Sequence, residues 1–394
     1  MNDIFIVLSN LDDNPYIASS IKGDSDFDLE GYLGFFDDFS SRLLIRSDFI
    51  NVLPKDSIKL ILNITNLPGK FELNIDKTLI EKIQCDPSCF LWIFSPHEAT
   101  VDLHSLSVFL KTQKIPAEKI IFTNSDTEID KSTQNGLKCV TFPEWWEARY
   151  RYLVKTNNNF SFTSPQFKKK QLESCDRNFL CLNRNLKIHR VWTYYTICQL
   201  PYINGYVSYN LPKIAKKENT DFRLWVKNQL NMYDLNHPKL LKSKKIYKTK
   251  ELDTIDKNYN INLQNDIKQY YDKSFVSIIT ESLENKPFIT EKTFKTMCHS
   301  HAFVTVGGGP QGQILKKRGY KTFENLFGID HVNNQSQLKK VLERINGMSI
   351  DNMRKTIQTQ FFPLIEHNFN HFFTRTISLN RFLKKISDYI YETR

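Results

Sequence analysis

Short apolar runs bounded by polar turns constrain this chain more than any other feature. Residues 4–8, 59–64, 89–94 and 119–123 are four such runs in the first part of the chain. Between the last two, Val101, Leu103, Leu106, Phe109 and Leu110 recur at helical spacing. Short continuous apolar strands alternating with helices predict a parallel sheet covered on both faces.

The pattern restarts later in the chain. Residues 178–183 read as a strand, 184–187 as a polar turn, and Arg190, Trp192, Tyr195 and Ile197 lie on the helix that follows. From 274 it sharpens into strand 275–280, loop 281–288, helix 290–298 and strand 302–306, which ends at Gly307, Gly308, Gly309 and Pro310. A helix over 313–318 is stopped by Gly319. This β-α-β-α unit is half of a nucleotide-binding fold. The stretch 213–265 is polar and rich in lysine, and reads as an insertion or long loop. The tail 351–391 is helical and aromatic. With 394 residues, two domains are natural. The polar stretch 155–164 is the boundary candidate. The chain divides as 1–160, 161–365 and 366–394, the last a helical tail.

The net charge is +11, which favours anionic partners. The early acidic run at Asp24, Asp26, Asp28, Glu30, Asp37 and Asp38 reads as a solvated loop, because no spaced cation-ligand pattern is present. Lys168, Lys169 and Lys170, then six lysines between Lys239 and Lys250, make the middle basic. Seven scattered cysteines argue for reduced thiols in a cytosol-like compartment. Cys85 and Cys89 lack a second pair to complete a zinc site and read as structural. No apolar run reaches membrane-spanning length, so a cytoplasmic protein is expected, in solution or resting on a membrane surface. The aromatic segment starting at Phe142, Trp145 and Trp146 reads as packing rather than as a sugar platform.

One segment carries most of the chemistry. Thr290 suits a helix N-cap and Glu291 suits the positive end of the macrodipole. Lys292 does not, because a cation in the first turn faces unfavourable partial charges. A diphosphate held jointly by Lys292 and the helix N-terminus removes that misfit. An ordinary surface lysine is the competing reading. Gly307 and Gly308, after the next strand, would let a backbone approach a ligand closely. Arg190 is a second candidate phosphate ligand, early in its helix and beside a basic turn containing Arg184 and Lys187.

Residues 277–282 and 288–294 resemble the donor-binding motif of the α1,3-fucosyltransferase family. In that family a strand ending in Glu-Asn is followed by Tyr-Val-Thr-Glu-Lys-Leu. The separation of Glu281 from Glu291 matches. The strand 302–307 is similar to the family's following strand. The run Phe179 to Asn183, with Arg190 downstream, is similar to the family's Phe-x-x-x-x-Ser-Asn and arginine, offset by one residue. Ser282 stands where the family has Asn, and Lys295 and His299 depart from its apolar helix. The resemblance covers about a third of the chain. It implies an α/β, GT-B-like architecture of two Rossmann-like domains facing a cleft, with a C-terminal helical segment. It also implies a nucleotide-diphosphate sugar as donor, with no metal and no other cofactor. Glu291 would hold the donor ribose, Lys292 and Arg190 the diphosphate, and Glu281 would lie near the transferred sugar, with Asn183 nearby.

The resulting expectation is an inverting glycosyl transfer, of fucose or a hexose, to a glycan or glycoconjugate hydroxyl. The leaving diphosphate needs positive charge and the acceptor needs a general base. Glu98, which follows strand 89–94, is the candidate base, with His97 as alternative; both also suit a helix cap. Three rivals stand beside this reading. The first is a glycosyltransferase acting on hydroxymethylated DNA bases, with the basic middle segment on phosphates. The second is a non-catalytic nucleotide- or glycan-binding module. The third is an enzyme at a membrane surface, using the basic patch and the aromatic helix near 361–373.

Overall fold

The computed structural model describes residues 4–8, 44–46, 57–64, 75, 77–94, 103–125, 138–156, 160–183, 187–209, 265–283, 288–307 and 309–392. The chain forms two compact units. One comprises Met1–Tyr152 with Thr376–Arg394, and the other Leu153–Arg375.

The first unit is built on a six-stranded, wholly parallel sheet. Its strands are β1 (Ile4–Leu8), β2 (Leu44–Arg46), β3 (Ile58–Ile64), β4 (Cys89–Phe94), β5 (Ile120–Asn124) and β6 (Lys138–Thr141), in the order β2-β1-β3-β4-β5-β6. The apolar runs read from the sequence are these strands, and β4 shows why its run is unbroken. Successive side chains of a strand point to opposite faces. Phe90, Trp92 and Phe94 enter one core, with Leu60, Leu62, Phe142 and Trp145. Cys89, Leu91 and Ile93 enter another, with Leu79 and Ile83 of helix α1 (Lys77–Cys85) and Leu110 of helix α2 (Leu103–Thr112). A strand with both faces covered has no position where a polar side chain reaches water.

The aromatic segment is packing. Trp145, at the start of helix α3 (Trp145–Thr156), is fully buried, with its ring edge-on to Phe94 at 5.2 Å. The Trp92 indole N–H donates to Thr123 Oγ1 at 2.9 Å, so the polar atom of this buried ring is satisfied. Burial, then the carboxylate of Asp86, pushes the Cys89 thiol up to about 12, as befits a structural cysteine.

The second unit carries a five-stranded parallel sheet: β7 (Arg177–Asn183), β8 (Gly205–Tyr209), β9 (Ser274–Thr280), β10 (Ala302–Val306) and β11 (His331–Val332), in the order β11-β10-β9-β7-β8. From β7 the chain steps outward to β8, then returns past β7 to place β9 on its other side. The strand order therefore reverses between β7 and β9. Open parallel sheets bind ligands beyond the carboxyl ends of the strands at such a point. Helices α4 (Pro165–Gln171), α5 (Ile188–Cys198), α6 (Asn265–Asp272), α7 (Glu291–Cys298), α8 (Gln311–Lys317), α9 (Glu324–Phe327), α10 (Gln335–Asn346) and α11 (Ile350–Thr356) belong to this unit. So does α12 (Phe362–Thr374), reached through a π-helical turn over Ile357–Phe361. Pro363 lacks the N–H that would bond one α-turn back, and the wider turn accommodates that. The division read at 366 falls inside α12.

Lys168 corrects one sequence expectation. It belongs to the basic middle of the sequence, but its side chain is buried. Its Nζ donates to Tyr271 O at 2.5 Å and Ser274 O at 2.7 Å, joining the end of α6 to the start of β9. A cation on the last carbonyls of a helix is favourable. Burial nevertheless lowers its pKa to about 8. Lys168 is therefore unavailable to an external phosphate, while the lysines from 239 to 250 lie outside the described residues. No helix among the described residues is long and apolar enough to cross a membrane.

Helix α13 (Leu379–Glu392) closes the first unit. Phe382, Leu383, Ile386, Tyr389 and Ile390 form a stripe at helical spacing, and all are buried in the core that holds Trp92 and Phe142. Ile386→Ala should cost about 2–5 kcal/mol in urea unfolding followed by fluorescence. Lys385→Ala, one residue away and exposed, should stay within about 0.5 kcal/mol. Equal effects for the two would show that the helix is not held by this stripe.

Candidate functional site

The site forms where β7 and β9 end. Asn183 closes β7 and Thr280 closes β9; both are buried, and Thr280 Oγ1 donates to Asn183 Oδ1 at 2.5 Å. Asn183 Nδ2 faces Cys181 Sγ at 3.3 Å, and its backbone N–H donates to Ser208 Oγ at 3.3 Å. Its amide thus acts as a strut between strand ends.

Glu281 is the next residue after β9 and is fully buried. Its carboxylate accepts from Thr290 N at 3.2 Å, Thr290 Oγ1 at 2.6 Å and Thr293 Oγ1 at 2.6 Å. Thr290 is the N-cap of α7, as its sequence position predicts. A carboxylate at a helix N-terminus meets the positive end of the dipole and uncapped N–H groups, which sustains a buried charge. The Glu281 backbone carbonyl is gripped as well. It accepts from His189 Nε2 at 2.6 Å and Arg190 Nη2 at 3.2 Å, both in the first turn of α5. A carbonyl only accepts, so Nε2 carries the imidazole proton. Lys187 Nζ donates to Ser282 O at 2.7 Å. Through one residue and its neighbour, the end of β9 is joined to the starts of α5 and α7.

Lys292 and Glu291 form the open side. Lys292 Nζ lies 2.9 Å from Glu291 Oε1, 3.1 Å from Ser282 Oγ and 3.2 Å from Thr290 Oγ1. Neighbouring residues on a helix normally point apart. Here both side chains turn to the mouth of α7, and the lysine keeps 29% of its side-chain surface exposed. Burial is the largest influence on Glu291 and opposes its ionisation, but the Lys292 ammonium, the Lys295 charge and a backbone N–H together outweigh it and hold the carboxyl down at about 2. Lys187, Arg190 and Lys292 face two carboxylates here, and one of those, Glu281, is already hydrogen-bonded to the helix it caps.

Asn183, Arg190, Glu281, Thr290, Glu291 and Lys292 are thus brought together. Gly307 follows β10 with φ +79°, a conformation suited to glycine, and donates its N–H to Val332 O at 2.8 Å. Gly308, His97 and Glu98 lie outside the described residues. His189 and Thr293 carry no distinguishing signal in the sequence, whereas Ser282 stands out there as a departure from the family motif. A hydroxyl at the third position of α7 is all that the sequence offers for Thr293; its carboxylate partner comes from the preceding strand rather than from the helix.

No protein-family model and no curated protein matches the chain. Solved structures similar to the chain include the following three. One is described as trehalose-6-phosphate from E. coli bound with UDP-2-fluoro glucose; it has TM-score 0.39 and 12% identity over 98% of this chain and 99% of that one. An α,α-trehalose-phosphate synthase (UDP-forming) from Burkholderia vietnamiensis has TM-score 0.36 and 10% identity over 97% and 83%. An α,α-trehalose 6-phosphate synthase from Burkholderia multivorans has TM-score 0.38 and 12% identity over 97% and 79%. At this level of likeness, residue roles rest on the chain's own geometry.

Burial, with the Arg190 charge beside it, lowers the His189 pKa to about 3, and burial holds His299 and His301 well below the ordinary range. An unfolded histidine takes up a proton near pH 6.5, which the folded imidazole refuses. Stability is therefore lost as pH falls below about 6.5, and for His189 the loss continues towards about 3. The slope is about 1.4 kcal/mol per pH unit for each such histidine. Urea unfolding between pH 6.5 and pH 4 should show this loss, and His189→Gln should reduce the slope by about one proton. An unchanged slope in that variant would contradict a neutral, buried His189.

Proposed function

We propose that this chain is a glycosyltransferase that takes its sugar from a nucleotide-diphosphate sugar and holds the leaving diphosphate at the mouth of α7. One observation carries the reading: the part-exposed Lys292 ammonium stands at a helix N-terminus beyond the carboxyl ends of β7 and β9, where the strand order reverses. The acceptor hydroxyl oxygen attacks the anomeric carbon, the bond from that carbon to the diphosphate oxygen breaks, and the hydroxyl proton passes to a base. Negative charge then grows on the diphosphate. Lys292 and the α7 N–H groups stabilise it, with Arg190 and Lys187 adding positive potential from behind.

Glu281 is a positioning residue in this scheme. Its carboxylate already serves Thr290 and Thr293 and sets where the mouth of α7 lies. Glu291 is the ribose ligand, in keeping with the resemblance to the α1,3-fucosyltransferase motif, and its low pKa keeps it an acceptor for hydroxyls at neutral pH. Glu98 is retained as the base on its sequence position. A metal-independent route, a fucose-like or hexose donor and a glycan or glycoconjugate acceptor complete the proposal.

Lys292→Ala should weaken binding of the preferred nucleoside diphosphate by about ten- to a hundredfold in calorimetry, the usual effect of losing a charge-assisted hydrogen bond. Transfer from the cognate nucleotide sugar should fall at least as far. Wild-type binding and transfer in this variant would overturn the site. Glu281→Gln should lower the melting temperature as well as donor binding, because the helix mouth it anchors loses an anionic cap. A variant with weakened binding and unchanged stability would show instead that Glu281 touches the ligand.

A further inference from the structure

Gln311 opens α8, just after the glycine turn that follows β10. Its side chain is fully buried, and its Oε1 has no hydrogen-bond partner among the described residues. Its Nε2 faces Phe288 O at a long 3.5 Å, and its backbone N–H donates to Gly309 O at 2.8 Å. Phe288 lies two residues before the N-cap Thr290. Gln311 therefore stands between the connection leaving β9 and the connection leaving β10, at the carboxyl edge that carries Lys292. A buried amide oxygen without a donor destabilises a fold, and an apolar side chain of equal reach would not incur that loss. Retaining the amide makes physical sense if a ligand supplies the missing hydrogen.

We propose that Gln311 reads the nucleotide's base, with a nucleobase N–H donating to Oε1. This rests on the donor-site reading above and extends it to the end of the nucleotide remote from the diphosphate. The bare oxygen accepts and cannot donate, so an ionised diphosphate, which also only accepts, is excluded as its partner. Gln311 is also displaced from the mouth of α7 towards β10, on the side away from β7. Gly307 and Gly309, both at positive φ, bring side-chain-free backbone to the same turn. A site that presents an unpaired buried acceptor discriminates strongly, because a base lacking the matching N–H leaves the acceptor unpaired.

The test measures binding of UDP, GDP, ADP, CDP and inorganic pyrophosphate to wild type, Gln311→Met, Gln311→Leu and Lys292→Ala by calorimetry, with the melting temperature of each ligand-free protein. Gln311→Met and Gln311→Leu should weaken the preferred nucleoside diphosphate about tenfold or more and compress the spread among the four bases. They should leave pyrophosphate binding unchanged and melt no lower than wild type. Lys292→Ala should weaken pyrophosphate and all four nucleotides alike. A Gln311→Met protein that keeps wild-type base selectivity, or loses pyrophosphate binding to the same degree, overturns the inference about Gln311. Lys292→Ala retaining pyrophosphate overturns the donor site itself, and a wild-type protein that binds none of the nucleotides overturns both. A ligand whose N-methylated base binds as well as the parent assigns Oε1 to a ribose hydroxyl and sinks the base reading.

Discussion

A buried carboxylate is expensive unless donors surround it, and Glu281 lies where the start of α7 supplies them. Its side chain takes the Thr290 N–H and hydroxyl and the Thr293 hydroxyl. Its main-chain carbonyl takes His189 and Arg190. Removing any one partner leaves a charged or polar group dry, so the arrangement holds as a set. What it holds is the mouth of α7, with Lys292 and Glu291 facing outward. The position of the candidate phosphate site is thus decided by a residue whose own charge is turned inward.

The parallel sheet makes this possible. Because β7 and β9 run the same way and are neighbours, their carboxyl ends deliver Asn183 and Thr280 side by side and place Glu281 beyond them. Because the chain returns across β7 to reach β9, the helices that follow these strands, α5 and α7, both begin at that edge. At the other end of β9, Lys168 secures Tyr271 and Ser274. His301 Nε2 also meets Tyr271 O there at 2.5 Å, while its Nδ1 lies 3.0 Å from Ser277 Oγ in the middle of the strand. The strand is fastened at both ends by buried polar groups. The neutral histidines among these contacts make acid a direct threat to the unit that carries the site.

The strands were legible in the sequence because strands buried on both faces leave apolar runs; β4 is unbroken, and β9, with every side chain buried, is interrupted only by Ser277 between its terminal hydroxyls. Short or edge elements were not. Leu44–Arg46 of β2 and His331–Val332 of β11 are too short to show a period, and Gly205–Tyr209 of β8 carries glycine, serine and two tyrosines. Helix α10 went unread even though its stripe of Leu338, Val341, Leu342 and Ile345 is regular. Lys168 misled because a lysine triplet resembles a solvated face, and only the packing of α4 against α6 and β9 reveals that one of the three points inward.

Thr290-Glu291-Lys292 was recognisable from residue chemistry alone: a hydroxyl that caps, a carboxylate that suits the dipole, and a cation that does not. Local rules suffice there, since capping involves groups within one turn of the chain. The partners of that turn lie far away in sequence. His189 and Arg190 lie 92 and 91 positions from Glu281, and the Gln311 oxygen is conspicuous only because folding has buried it without a donor. The sequence by itself determined the alternation of strands and helices and the start of α7, because periodicity and capping are local. Which carboxylate turns inward, which lysine stays at the surface and which amide is left waiting for a partner were decided by tertiary structure, because burial is a property of neighbours that the chain brings together only when it folds.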